Sequence, residues 1–207
     1  MKKLIACRSL CIGAMAVVMA LAGGSSPASV HAKANGDIVG IVELGSTRVA
    51  DAVVSITEAP GSFTPPAAGV TMDQKDKQFV PHVLAILKGT KVKFNNSDPF
   101  FHNVFSSSRI KMFNVSQEKK GDVSDLVFDK PGLIPIRCHI HASMKAYIVV
   151  LSNPYFAVTN EKGQFEIGNV PPGTYTLKIW SDHSSPATQT VEVTSGGRAK
   201  ALIKVTQ

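Results

Sequence analysis

Gly132-Leu133-Ile134-Pro135-Ile136-Arg137-Cys138-His139-Ile140-His141-Ala142-Ser143-Met144-Lys145-Ala146-Tyr147-Ile148-Val149-Val150-Leu151 reads as a strand, a tight loop and a second strand. Side chains of an extended chain alternate between faces, so Ile134, Ile136 and Cys138 share one face and Leu133, Pro135 and Arg137 the other. The sulfur therefore points with the apolar side. His141 and Met144 follow Cys138 at three-residue steps before the apolar strand 146–151 resumes, so one loop presents a thiol, an imidazole and a thioether together.

Outward from this hairpin, the chain continues as short β-type runs separated by Gly, Pro, Asn and Asp, with no helix-period segment of ten or more residues. The fold class is all-β. The clearest strands are 37–44, 52–57, 83–87, 91–94, 132–138, 146–151, 164–167, 174–179, 190–193 and 199–205. Turn chemistry falls between them at Lys88-Gly89, Lys130-Pro131-Gly132, Glu161-Lys162-Gly163, Pro171-Pro172-Gly173 and Ser195-Gly196-Gly197. The Pro/Gly-rich stretch 59–66 reads as a boundary, which divides the chain into two modules. Residues 69–152 hold every candidate ligand, and residues 153–207 form a tail.

Residues 1–32 read as a secretory signal: Lys2, Lys3 and Arg8 open it, an apolar run spans 11–22, and Val30-His31-Ala32 offers a cleavage site. That run is shorter than the roughly 20 residues a spanning helix needs, so no membrane insertion is expected after cleavage, and a periplasmic or secreted location follows. Removing the signal takes the formal charge from +7 to +4, because three basic side chains leave and no acidic one does. Mild basicity without a Lys/Arg-rich block gives no case for nucleic acid. Cys7 and Cys11 leave as well, and the solitary Cys138 has no disulfide partner. In an oxidising compartment such a thiol calls for an occupant, and a metal is one.

His102 lies 36 residues upstream of Cys138. Thiolate, two imidazoles and a thioether form a soft donor set that suits Cu(I) and Cu(II), whereas calcium or magnesium wants oxygen. Each donor alone has an ordinary reading: Cys138 as a small buried hydrophobe, Met144 as core packing, His102 as a loop histidine. Their joint order and spacing favour one copper ion held by His102, Cys138, His141 and Met144, with His102 arriving from a different strand. His139, His82 and His183 are expected at the surface. No second histidine precedes Cys138, where Arg137 stands, and no His-x-His pair occurs elsewhere. An oxygen-reducing copper cluster is thereby disfavoured, and the chain is not expected to be an enzyme. The Asn160-Glu161-Lys162-Gly163 turn lacks the repeated carboxylates of a calcium loop and is expected to be a plain hairpin turn. Tyr155, Phe156 and Trp180 are read as core, with a ligand-binding face as the other option.

From Gln78 through Val150 the sequence resembles the cupredoxin family, particularly amicyanin and plastocyanin. The resemblance rests on Phe79-Val80-Pro81, on Lys88-Gly89-Thr90-Lys91-Val92-Lys93-Phe94-Asn95-Asn96-Ser97-Asp98, on His102-Asn103-Val104, and on Lys130-Pro131-Gly132 leading to the cysteine. The Cys-x-x-His-x-x-Met spacing is similar to that of amicyanin and of methylamine-utilization-type cupredoxins. It implies a Greek-key β-sandwich and a type 1 copper site with His102, Cys138 and His141 equatorial and Met144 axial. It also implies one-electron transport between a donor and an acceptor redox protein, with an amine dehydrogenase and a c-type cytochrome as conceivable partners. In that family an Asn after the first histidine ties its strand to the Cys loop, which gives Asn103 a role. Pro99, Phe100, Phe101, Ile140 and Ala142 would form an apolar patch around His141, the electron exit, or in part belong to the core.

The tail run Val158-Thr159-Asn160-Glu161-Lys162-Gly163-Gln164-Phe165-Glu166-Ile167, followed by Val170-Pro171-Pro172-Gly173-Thr174-Tyr175-Thr176-Leu177, resembles the carboxypeptidase regulatory-like domain, a transthyretin-like β-sandwich. Such domains begin with strands like Gly40-Ile41-Val42 and Ala52-Val53-Val54-Ser55-Ile56, which stand far upstream. The expectation is a discontinuous outer sandwich, 36–59 plus 153–207, interrupted by the metal module; the alternative is that the first strands merely extend that module. Two functions compete with electron transport: a copper-binding or delivery protein, and an adhesion or glycan-binding module with a structural metal.

Overall fold

The computed structural model describes residues 34–207 apart from 118, 119 and 122, so the expected signal at 1–32 lies outside the described residues. The strands run β1 (Gly36–Leu44), β2 (Thr47–Arg48), β3 (Val53–Ile56), β4 (Val70–Lys75), β5 (Gln78–Val80), β6 (Val83–Leu87), β7 (Thr90–Asn96), β8 (His102–Ser107) and β9 (Met112–Gln117). They continue as β10 (Val123–Phe128), β11 (Gly132–Arg137), β12 (Lys145–Leu151), β13 (Phe156–Val158), β14 (Gln164–Val170), β15 (Gly173–Ser181), β16 (Ser184–Val193) and β17 (Arg198–Val205). Among the described residues every regular element is a strand, and the all-β class holds.

Four sheets form two sandwiches. In the first, β14-β1-β17 with β2 at the edge faces β13-β3-β15-β16. Their shared core holds Ile38, Val42, Val54, Ile56, Phe165, Ile167, Leu177, Ile179 and Ile203. β1 is its central strand, parallel to β17 from Asp37↔Arg198 to Leu44↔Val205 and antiparallel to β14. Ile38 and Val42 turn inward at alternate positions, as a half-buried strand requires. Gly40, between them, has no room for a side chain: a Cβ there would stand 2.2 Å from the Ala201 carbonyl oxygen and 2.7 Å from the Phe165 ring.

In the second sandwich β10-β7-β4-β5 faces β6-β12-β11-β8-β9. Met72, Val92, Phe94 and Phe128 from one sheet meet Val104, Ile134, Ile136 and Ile148 from the other. Cys138 and Met144 belong to the same cluster, so the loop 138–144 closes one end of the core. The strands that sequence patterning alone does not single out, among them β8, β9 and β10, are polar or edge elements. Val123 and Val127 of β10 face solvent at 57 % and 48 % exposure, so the pattern of apolar residues there marks no buried face. Pairing makes these segments strands; their own hydrophobicity does not.

A third cluster joins the sandwiches. Val53 and partly buried Val158 and Trp180 meet Val83, Val149 and partly buried Leu133 and Tyr147. Tyr147 and Trp180 pack edge to face, 5.0 Å between centroids, and the His82 ring stands edge to face with Tyr147. His82 Nε2 lies 3.0 Å from Asp182 Oδ2. Trp180 therefore serves neither sandwich core nor a free binding face, and His82 is half-buried with a carboxylate partner. Of the three histidines expected at the surface, His139 and His183 are exposed, His183 lying 3.2 Å from the same carboxylate, and His82 is not.

Candidate metal centre

β8 and β11 are neighbours, with Arg137 opposite Phe105. Antiparallel pairing counts backwards on one strand as it counts forwards on the other, so Cys138 arrives level with Val104 and points into the core beside it. His102 lies two residues before Val104 on the same face. This register delivers an imidazole to the sulfur from 36 residues away. One donor atom each from His102, Cys138 and His141 lies within 4.8 Å of the others.

The two histidines face each other through Nδ1, 3.2 Å apart. One ion at ordinary imidazole–metal distances of about 2.0–2.1 Å can reach both. His102 is 2 % exposed and Cys138 5 %, while His141 keeps an open edge. Met144 is buried beneath the loop, in the same cluster as Cys138. Its N–H donates to the His141 carbonyl at 2.9 Å, and Cys138 N–H donates to the Met144 carbonyl at 3.3 Å, which closes the turn 138–144. The donor set fits a soft or borderline transition metal and has no hard carboxylate at its centre.

Asn103 ties the strand to the loop. Its Oδ1 accepts the His139 N–H at 3.3 Å, and its Nδ2 donates to the Val115 carbonyl at 3.2 Å and to Asn114 Oδ1. The side chain thus extends the β8–β11 ladder where the chain leaves β11. His139 is exposed, its ring stacked flat on Phe105 at 3.7 Å.

Around His141 the surface is apolar: Phe100, Phe101 and Ile140 are 37 %, 63 % and 55 % exposed, flanked by exposed Pro99 and Ala142. Phe100 packs on both histidine rings, and the Lys77 ammonium sits over it at 5.3 Å. Burial, the adjacent His102 and the Lys77 charge together hold His141 below its ordinary imidazole value.

Sequence reasoning missed Asp98. Its carboxylate oxygen lies 2.7 Å from His102 Nε2, on the ring edge opposite Nδ1. Burial pushes this carboxyl up, but the backbone amides of Lys77 and Asp76 and the His102 ring outweigh that and hold it below its ordinary value. The only sequence signal was Asn96-Ser97-Asp98-Pro99, an Asx-turn pattern, realised as Asp98 N–H donating to Asn96 Oδ1 at 3.0 Å.

The model of polysaccharide lyase family 4, domain II, matches residues 143–201. No curated protein matches the chain. Among solved structures, a Cu-containing nitrite reductase from Thermus scotoductus SA-01 is similar at 28 % identity and a TM-score of 0.38, over 47 % of this chain and 25 % of that one. The chain thus spans about a quarter of that enzyme's length. A purple cupredoxin from Nitrosopumilus maritimus is similar at 24 % identity and a TM-score of 0.36, over 39 % and 98 % of the two chains. A mutant amicyanin in its Cu(I) form is similar at 19 % identity and a TM-score of 0.37, over 47 % and 97 %.

Proposed function

We propose that this protein is an exported type 1 copper protein that carries single electrons between redox proteins and is not itself an enzyme. The observation that carries the reading is the meeting of His102 Nδ1, His141 Nδ1 and the Cys138 donor at the closed end of a β-sandwich. In this reading residues 69–152 are a cupredoxin module, set within a transthyretin-like sandwich made of 36–59 and 153–207. His102, Cys138 and His141 would hold the metal, with Met144 as a fourth, weaker donor. Copper bound there would supply reversible Cu(I)/Cu(II) exchange.

The residues do the rest. Cys138 and His102, both buried, exclude water and hold their donor atoms against displacement. Asn103 braces the loop so that the donors move little when the charge at the site changes, which lowers the reorganisation that electron transfer requires. His141 presents its outer edge between Phe100, Phe101 and Ile140, an exposed apolar landing surface for a redox donor and acceptor. Buried ligands of this kind favour a resident metal over a delivered one. An amine dehydrogenase donor, a c-type cytochrome acceptor and a periplasmic or secreted location belong to the same proposal.

The test is the visible spectrum of the copper-loaded chain. An intense thiolate-to-copper band that bleaches with reductant and returns on oxidation is expected, and Cys138→Ser should abolish it. A colourless wild-type protein in cupric solution would end this reading, and rapid surrender of copper to a chelator would favour delivery.

A further inference from the structure

Asp98 is 4 % exposed, and electron transfer through His141 does not call on it. Its Oδ1 accepts the Asp76 N–H at 2.8 Å, and its Oδ2 accepts the Lys77 N–H at 3.0 Å and faces His102 Nε2 at 2.7 Å. Both amides belong to the turn between β4 and β5, where Asp76 and Lys77 have φ of 53° and 57°. Two successive left-handed residues are what a tight hairpin needs; aspartate is ordinary at the first, but glycine usually supplies the second, and Lys77 there is strained. That unfavourable turn aims two backbone N–H groups at one carboxylate. The hairpin thus acts as a clamp on Asp98.

We propose that Asp98 is a positioning residue: clamped by the β4–β5 turn, its carboxylate keeps the His102 ring proton on Nε2 and leaves Nδ1 bare toward His141 and Cys138. It also makes that imidazole a stronger donor to cupric than to cuprous ion. The second half rests on the copper reading above; the first stands without it. A neutral imidazole carries one ring proton, and the nitrogen facing an acceptor retains it. A backbone carbonyl would fix the same tautomer, but a buried carboxylate adds negative charge, which favours the more highly charged metal state.

The first measurement needs no metal. Ring-nitrogen NMR shifts of His102 in the metal-free full chain should report Nε2 protonated and Nδ1 bare. Asp98→Asn has one acceptor oxygen for three donors and should lose that fixed tautomer, while Asp98→Glu should keep it. A wild-type His102 protonated on Nδ1 overturns the proposal, as does an Asp98→Asn variant with the tautomer unchanged; if that variant fails to fold, the wild-type shifts decide.

The second measurement is the midpoint potential of the copper-loaded chain. Asp98→Asn should lose about tenfold in cupric over cuprous affinity, a rise of about 59 mV for one electron. An unchanged potential overturns the electronic half. A wild-type chain that takes up no copper defeats the copper reading and leaves the tautomer result to decide the role of Asp98.

Discussion

Asn103 shows how one side chain can hold a site open to solvent on one edge and packed on the other. It accepts the His139 N–H where the chain leaves β11 and donates to the Val115 carbonyl of β9, bridging the two neighbours of β8. Asn103→Ala leaves both without their partner, and each net bond is worth about 0.5–1.5 kcal/mol. Urea unfolding of the metal-free chain should therefore show a loss of about 1–2 kcal/mol, with a broadened visible band once copper is added. His141 brings a pH dependence. Its imidazole is held below the ordinary value of 6.5, so the unfolded chain accepts a proton that the native ring refuses. Stability is then lost as pH falls through about 6.5 toward the lower folded value. The urea midpoint of the metal-free chain should fall over that window, and His141→Gln should flatten it. Asp98 acts lower down: its carboxyl is held below 3.8, so its contribution is present above that value and lost as pH falls through the folded one. A midpoint that stays level between pH 7 and 5 would remove His141 from this account.

At the scale of elements, the hairpin β11–β12 was legible because its period-two pattern and its chemistry agree: Ile134, Ile136 and Cys138 are all buried, while Pro135 and Arg137 are exposed. The turn at 160–163 was legible for a similar reason, with Lys162 and Gln164 N–H both donating to Asn160 Oδ1 and Gly163 at a φ of 67°. β8 was not, because His-Asn-Val-Phe-Ser-Ser is mostly polar and becomes a strand only by pairing with β9 and β11. β1 carries a sharper test. A methyl at Gly40 would collide with the Ala201 carbonyl and the Phe165 ring, so Gly40→Ala should cost about 1–3 kcal/mol, read as a lower melting temperature. A variant as stable as wild type would mean that β1 and β17 can part without loss.

The whole molecule is held as two sandwiches by a small apolar seam. Trp180 is its largest side chain, packed edge to face on Tyr147 of β12. Trp180→Ala should destabilise the chain by about 2–3 kcal/mol, below the range for a fully buried aromatic because Trp180 is only partly covered. The ligand loop lies at the end of the second sandwich core, outside this seam, so the visible spectrum of the copper-loaded variant should match wild type. A spectrum altered by Trp180→Ala would show that the seam reaches the ligands. Among the described residues no helix is long and apolar enough to cross a membrane.

By itself the sequence determined the all-β class and the loop that gathers Cys138, His141 and Met144, because alternation, turn chemistry and short-range spacing are local properties written in consecutive residues. Tertiary structure alone decided that β1 pairs with β17, partners such as Asp37 and Arg198 being 161 residues apart, that Trp180 sits at a seam, and that Asp98 stands behind His102. These depend on register between distant strands. A carboxylate four residues before a histidine becomes its partner only when a neighbouring hairpin turns two amides to hold it.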